Sequence, residues 1–182
     1  MTKIRTVMAE GAPPATGAAE VRTATTHDVD AIRDLIDTYA PDRRLLSKAT
    51  VTLFEDVQEF VVAEDNGVVV ACGGLHVMWE DLAEVRTIAV RPSHTGAGLG
   101  SAILRHLLDR AANLGVARVF CLTFETGFFG RHGFHEFAGP GVDSDVFTEL
   151  LQSGDEGVAE FLELERVKPN TLGNHRMLLR LS

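Results

Sequence analysis

Residues 84–90, Glu-Val-Arg-Thr-Ile-Ala-Val, run directly into Arg91-Pro92-Ser93-His94-Thr95-Gly96-Ala97-Gly98-Leu99-Gly100, and no other stretch narrows the possible folds as much. The first part reads as a strand. After the glycines, Leu99, Ile103, Leu107, Leu108, Ala111 and Leu114 mark a long amphipathic helix that stops near Gly115. Three alternating glycines between a strand and a helix let the backbone turn sharply and aim its N–H groups inward. With the positive end of the helix they make an anion site that requires no net positive charge. An ordinary glycine-rich turn shares this spacing, so context decides. A nucleoside-triphosphate loop needs Gly-Lys-Ser/Thr, which is missing, and a dinucleotide fold places GxGxxG after its first strand, whereas this loop follows three successive strands.

That independence from net charge matters, because the 182-residue chain carries a net charge of −9. Such a balance argues against nucleic acid as a partner, since phosphate neutralisation takes a basic stripe. With 45% hydrophobic and 24% charged residues the chain has material for one globular core. No stretch has the length of a membrane span or the layout of a signal peptide, which predicts a cytoplasmic protein with no membrane partner. Cys72 and Cys121 sit in apolar runs and read as buried thiols rather than a disulfide. No Cys/His cluster suggests a metal.

Residues 1–19, rich in Ala, Gly, Pro and Thr, read as a flexible leader, and 20–182 as a single domain. A short strand at 21–24 leads to Thr25 and Asp28, a capping-box pattern before a helix with Val29, Ile32, Leu35 and Ile36 on one face. Pro41 ends that unit, and a second short helix is expected over 51–57. Strands follow at 60–63 and 68–77 around an Asp65-Asn66-Gly67 turn, then at 84–90. Beyond the long helix come a buried strand at 116–123, a short helix at 126–131 and an extended piece at 134–138. A mostly helical stretch covers 142–166, and a strand closes the chain at 176–181. This order predicts an α/β (α+β) fold, a mixed and mostly antiparallel sheet with helices on both faces.

At this point the chain resembles the GNAT acetyltransferase superfamily, whose pyrophosphate loop has the form Arg/Gln-x-x-Gly-x-Gly/Ala. Gly98 and Gly100 match, Thr95 stands where Arg or Gln is usual, and Arg131-His132-Gly133-Phe134 matches a frequent x-x-Gly-Phe. The resemblance covers roughly residues 20–182. It implies acetyl-CoA as cosubstrate, with the backbone of Ile88, Ala89 and Val90 pairing with the pantetheine arm. Amides of Thr95, Gly96, Ala97, Gly98, Leu99 and Gly100 would hold the pyrophosphate. Many members place a tyrosine, as acid to the leaving thiolate, where this chain has Phe129, and its only tyrosine, Tyr39, is distant in sequence. The acid is then water or nothing, which a thiol of pKa ~8.5 tolerates as leaving group.

Leu45-Leu46-Ser47-Lys48, residues 82–90, Val119-Phe120-Cys121-Leu122-Thr123-Phe124 and Gly173-Asn174-His175-Arg176-Met177-Leu178 narrow the likeness further. They are similar to the short stand-alone N-acetylglutamate synthases of actinobacteria, the first enzymes of arginine biosynthesis. The chemistry has its own logic. An α-amine is mostly protonated at neutral pH, so its attack on a thioester needs a base. Glu84 and Arg86, two apart on one strand, share a face: Glu84 is the candidate base, and Arg86 a candidate for orienting a carboxylate, with a solvated or mutually paired ion pair as the alternative. An amino acid brings one or two carboxylates, which call for cations. The resemblance implies Lys48 in that role, and Lys168, Asn170, Asn174 and Arg176 from the C-terminal segment; His175 stands where relatives have serine. It also places the substrate amine at the backbone carbonyl of Leu122 or Thr123. Cys121 lacks a His/Asp partner and reads as core.

The expected reaction is direct acetyl transfer from acetyl-CoA to the α-amine of L-glutamate or L-glutamine, by a protein that forms a homodimer, as many in the superfamily do. Two other readings stay open. One is a transferase for another amine, such as a protein N-terminus, which an acidic acceptor groove would favour and a basic one would not. The other is an acetyl-CoA sensor without turnover, suggested by the missing tyrosine.

Overall fold

The computed structural model describes residues 19–41, 45, 48–167 and 173–181. Strand β1 (Glu20–Thr23) leads through a 3-10 turn to helix α1 (Val29–Tyr39) and α2 (Thr50–Glu55). The hairpin strands β2 (Phe60–Asp65) and β3 (Val68–Trp79) are followed by β4 (Leu82–Val90) and α3 (Leu99–Asn113). Then come β5 (Arg118–Thr123), α4 (Thr126–Arg131), β6 (His135–Glu136), α5 (Ser144–Leu150), α6 (Glu156–Phe161) and β7 (His175–Arg180). The strands form a sheet in the order β1-β2-β3-β4-β5-β7-β6. Its pairs are antiparallel except β4 with β5. The expected mixed sheet with helices on both faces is what forms.

Local chemistry explains the boundaries. Asn66 and Gly67 both have positive φ, 50° and 79°, the primed turn that suits the twist of a two-residue hairpin. Asp28 accepts from the Thr25 backbone N–H at 2.7 Å and hydroxyl at 3.0 Å, and Arg22 clamps it with bonds of 2.8 and 2.9 Å. The start of α1 is thereby fixed to β1. The strand expected at 84–90 starts earlier, at Leu82, because Ala83 and Leu82 pair with β5 at Val119 and Arg118. The stretch 142–166, expected to be mostly helical, forms two short helices and enters a 3-10 turn.

Three apolar clusters hold these layers. Under α3, Ile103, Leu104 and Leu107 pack on Val61, Val85, Ile88 and Val90, with Phe128, Phe129 and Phe134 beside them. On the opposite face, α1 and α2 bury Ile32, Leu35, Ile36 and Leu53 against Phe60, Val62 and Ala89. Farther along that face Phe120, Leu122, Leu150, Val158 and Phe161 close a third cluster with Leu82. Each such side chain contributes ~1.5–3 kcal/mol on burial. Glu84 and Arg86, between Leu82 and Ala89, fall in the seam between the second and third clusters. That seam is where a polar cavity opens.

Candidate active site

Two features of β4 shape the cofactor side. Its parallel ladder with β5 ends after Leu82–Glu84 pair with Arg118–Phe120, while β5 goes on to pair β7 through Thr123. From Val85 onward the β5-facing edge of β4 therefore has no strand partner among the described residues, and the two strands part. The second feature is a bulge: the β3–β4 register shifts between Cys72 and Gly74, opposite Ala89 and Arg86. Thr87 sits there at φ 53°, a left-handed conformation rarely seen for a β-branched residue. The extra residue flips the side-chain alternation. Val85 and Ile88 both enter the α3 cluster, whereas Arg86 and Ala89 share the other face. The Thr87 hydroxyl is buried without a hydrogen-bond partner among the described residues.

The glycine loop lies at the end of this strand. Gly96 and Gly98 have φ of 80° and 79°, and Gly98 is the residue before the first turn of α3. Thr95 turns inward, its hydroxyl donating to the Pro92 carbonyl at 2.9 Å, so it braces the loop where the family commonly has a long polar side chain. Tyr39, distant in sequence, reaches the same region: its hydroxyl donates to the Val90 carbonyl and joins α1 to the strand end. Of the three residues expected to meet the pantetheine arm, Val90 thus has its carbonyl already engaged. Phe129 is fully buried between Phe128 and Phe134 and offers no acid. The unpaired β4 edge and the loop amides together suit an extended amide-bearing chain that ends in a diphosphate.

The acceptor side is a cavity of about 350 Å³ lined by Lys48, Thr52, Asp56, Glu84, Arg86, Gly154, Asp155, Glu156, Gly157 and Glu160. Glu84 and Arg86 form its floor, only 2% and 4% exposed, and pair through Arg86 Nε to Glu84 Oε2 at 2.7 Å. The ion pair is thus mutual, and it is buried rather than solvated. Arg86 also donates from Nη1 to Asp155 Oδ2 at 3.0 Å and from Nη2 to Asp155 Oδ1. Burial pushes the Glu84 carboxyl above its ordinary range, Arg86 opposes this and Asp155 adds to it. Burial would raise Asp155 as well, but the charge and hydrogen bonds of Arg86 hold it below the usual carboxylate range. Two neighbouring carboxylates are thereby driven apart, Glu84 toward accepting a proton and Asp155 away from it. Lys48 is buried against the Phe60 ring, 5.8 Å from its centroid, and donates to Asp56 Oδ2 at 2.8 Å.

Of the residues expected from sequence, Lys48, Glu84 and Arg86 come together here. Thr123 lies at the end of β5, fully buried, its hydroxyl accepting from the Glu125 N–H at 2.8 Å. Asn174 lies just before β7, which pairs His175 with Thr123, and both polar atoms of its side chain are buried without a partner among the described residues. Arg176 is placed otherwise than expected. It stacks 4.2 Å from the Phe137 ring centroid and bonds to Gly139 O at 3.1 Å, Phe161 O at 2.5 Å and Glu163 at 2.9 Å, and it does not line the cavity. Lys168 and Asn170 fall outside the described residues. Cys121 is buried, which raises its thiol well above the usual value, and Cys72 is pushed up to about 12 by the same cause. Neither suits a nucleophile.

Sequence reasoning missed the far wall. Asp155 caps α6, accepting from Val158 N–H at 3.0 Å while holding Arg86. A Cβ on Gly157 would stand 2.1 Å from Glu84 Oε2 and 2.5 Å from Arg86 Nη2, so only glycine lets α6 close over the pair. Asp155-Glu156-Gly157 carries a helix-start signal, but nothing in sequence ties it to a strand seventy residues earlier. His76 adds a further contact, its Nδ1 2.6 Å from Glu59 and its Nε2 3.9 Å from Asp155.

A buried carboxylate in a polar cavity, set beside a parted strand pair and a glycine loop, suits an acyl-CoA-dependent transferase. Residues 29–139 match the acetyltransferase (GNAT) family model, and the chain belongs to that family. It is 58% identical over 164 residues to an amino-acid acetyltransferase of Mycobacterium tuberculosis, covering 88% of this chain and 94% of the relative. The solved structure of Rv2747 from Mycobacterium tuberculosis, in complex with CoA and NLQ, superposes with a TM-score of 0.86 at 57% identity over 90% of this chain and 99% of that one. N-acetylglutamate synthase from Neisseria gonorrhoeae shares the fold at TM-score 0.72 and 23% identity; this chain covers 36% of its length.

Proposed function

We propose that this protein is an amino-acid N-acetyltransferase that moves the acetyl group of acetyl-CoA to the α-amine of L-glutamine or L-glutamate, the opening step of arginine biosynthesis. The observation that carries this is the buried Glu84 carboxyl, held above its ordinary range by burial, at the floor of a cavity sized for an amino acid. Likeness to the mycobacterial amino-acid acetyltransferase over nearly the full length of both chains supports it.

Backbone amides from Thr95 to Gly100 would hold the diphosphate, and the free edge of β4 at Ile88 and Ala89 the pantetheine amides. Glu84 takes the proton of the bound ammonium, directly or through water. The free amine then forms the new N–C bond as the C–S bond breaks, CoA leaves as the thiolate because Phe129 offers no acid, and the proton shed by the acylated nitrogen reaches that thiolate through water. Arg86, with its guanidinium engaged by Glu84 and Asp155, keeps the base in place more than it reaches for substrate. Among the described residues this leaves Lys48 as the cavity cation with a single carboxylate partner. One such cation serves one carboxylate, which favours glutamine over glutamate. Thr123 and Asn174 flank the parted strands on the amine's side.

Five carboxylates against two cations line the cavity, and this acidic surplus is what another amine, such as a protein N-terminus, would also find attractive. The same proposal takes residues 20–182 as one domain, working in the cytoplasm as a homodimer. Thiol release from acetyl-CoA across the twenty amino acids and an N-terminal peptide tests it. Release with glutamine or glutamate, and N-acetylated product by mass spectrometry, is expected. Release with the peptide alone would overturn the amino-acid assignment, and release with none would support a sensor.

A further inference from the structure

The glycine loop accounts for one anionic group of CoA. A second, the 3′-phosphate monoester on the same ribose, carries about −1.5 to −2 charge near neutral pH, judged from other phosphate monoesters. In a chain of net charge −9 such a group has to find local cations.

Two stand beside the loop. Ser101 and Arg105, four apart on α3, share a face, and at 1.5 Å per residue Arg105 lies about 7.5 Å along the axis from Gly100. Across from them α4 ends in Arg131. The next residue, His132, contacts Ser101 Oγ through Nε2 at 2.9 Å and packs on the Phe128 ring at 5.0 Å between centroids. This contact ties the end of α4 to the first turn of α3 and sets the spacing between the two arginines. Arg131 folds back along its helix, with Nη1 3.9 Å from where a Cβ on Gly127 would be. Burial holds the His132 imidazole below its usual range, and the charges of Arg105 and Arg131 push the same way. Both are exposed, and neither forms an ion pair among the described residues. Arg22, Arg33, Arg86, Arg118, Arg166 and Arg176 each pair with a carboxylate. Two exposed arginines without an ion pair among the described residues, carried on helices that the Ser101–His132 contact joins beside the glycine loop, offer a phosphate monoester the cations it needs in an acidic protein.

We propose that Arg105 and Arg131, spaced by the Ser101–His132 contact, receive the 3′-phosphate of the cosubstrate. This rests on the acetyl-CoA reading of the loop. Calorimetric titration of wild type with CoA and with 3′-dephospho-CoA tests it, alongside the double variant Arg105→Gln/Arg131→Gln and the control Arg180→Gln at the far end of β7. Wild type should bind CoA about tenfold more tightly than the dephospho form, as charge-assisted bonds to phosphate provide. The double variant should lose that preference, with dephospho-CoA affinity unchanged, and Arg180→Gln should keep it. Equal wild-type affinities would overturn the subsite and leave the loop assignment standing. Loss of the preference in Arg180→Gln as well would overturn it in favour of long-range charge. Failure of wild type to bind either compound would remove both.

Discussion

The two sides of the cleft meet at β4 but are made of different material. On the proposed cofactor side the parts that would work are main-chain: the β4 edge beyond Glu84, and amides around Gly96 and Gly98 with φ near 80°. On the acceptor side they are side chains from distant segments, namely Lys48, the Glu84–Arg86 pair and Asp155. Backbone donors are available to any sequence that turns correctly, so that side tolerates Thr95 in place of a long polar residue. A pocket of converging side chains depends on each contributor, and its net charge and size are specific to the acceptor. Substitutions on the two sides should therefore fail differently.

The largest effect is expected from Gly157→Val. A side chain there must displace the Glu84–Arg86 pair from 2.1 and 2.5 Å, so kcat should fall by roughly 10³-fold while acetyl-CoA affinity stays within about twofold. Steady-state kinetics with calorimetry of the cofactor checks both. Gly98→Val should do the reverse: a residue forced to φ 79° disturbs the loop, raising KM for acetyl-CoA about thirtyfold with kcat at saturation nearly kept. Comparable loss of cofactor affinity in both variants would break the division. Asp155→Asn should cost about tenfold in kcat, because Arg86 loses a charged partner, and Asp155→Glu should restore part of it.

The smallest kinetic effect belongs to Asp28→Asn, remote from both sides. Removing the charge that accepts from Arg22 and Thr25 should cost about 1–2 kcal/mol and lower Tm by roughly 2–6 °C, with KM and kcat unchanged. The hydrogen bonds of Arg22, ahead of those from Thr25, hold this carboxyl below its usual range. The stability difference should therefore be full above the unfolded-state value of about 3.9 and disappear as pH falls through the lower folded one. Thermal scans of both proteins across acid pH measure it.

Main-chain parts were readable from sequence because glycine spacing and strand–helix periodicity are local signals: the turn at Gly96 and Gly98 and the helix after it follow from them, while the loop's proposed role also drew on the strands ahead of it. Glu84 and Arg86 were readable as a pair because strand alternation puts residues two apart on one face. The bulge at Thr87 was not, since its left-handed backbone follows from how β3 pairs across it rather than from threonine itself. Asp155 and Gly157 escaped because tertiary closure of α6 alone brings them over β4. Arg176 was misplaced for the converse reason: a cation in the C-terminal segment is equally suited to stacking on Phe137 and closing the carbonyls of Gly139 and Phe161.

Glu84 is the proposed base, and the pH dependence of kcat/KM for the amino acid in wild type and Glu84→Gln tests that role most directly. A base works only when ionised, so wild-type activity should rise as pH climbs through the carboxyl value, displaced upward from that of an ordinary glutamate because Glu84 is buried. Glu84→Gln should lose about 10²-fold and lose that limb, with acetyl-CoA affinity unchanged. An unaltered limb, or activity within twofold of wild type, would contradict the assignment.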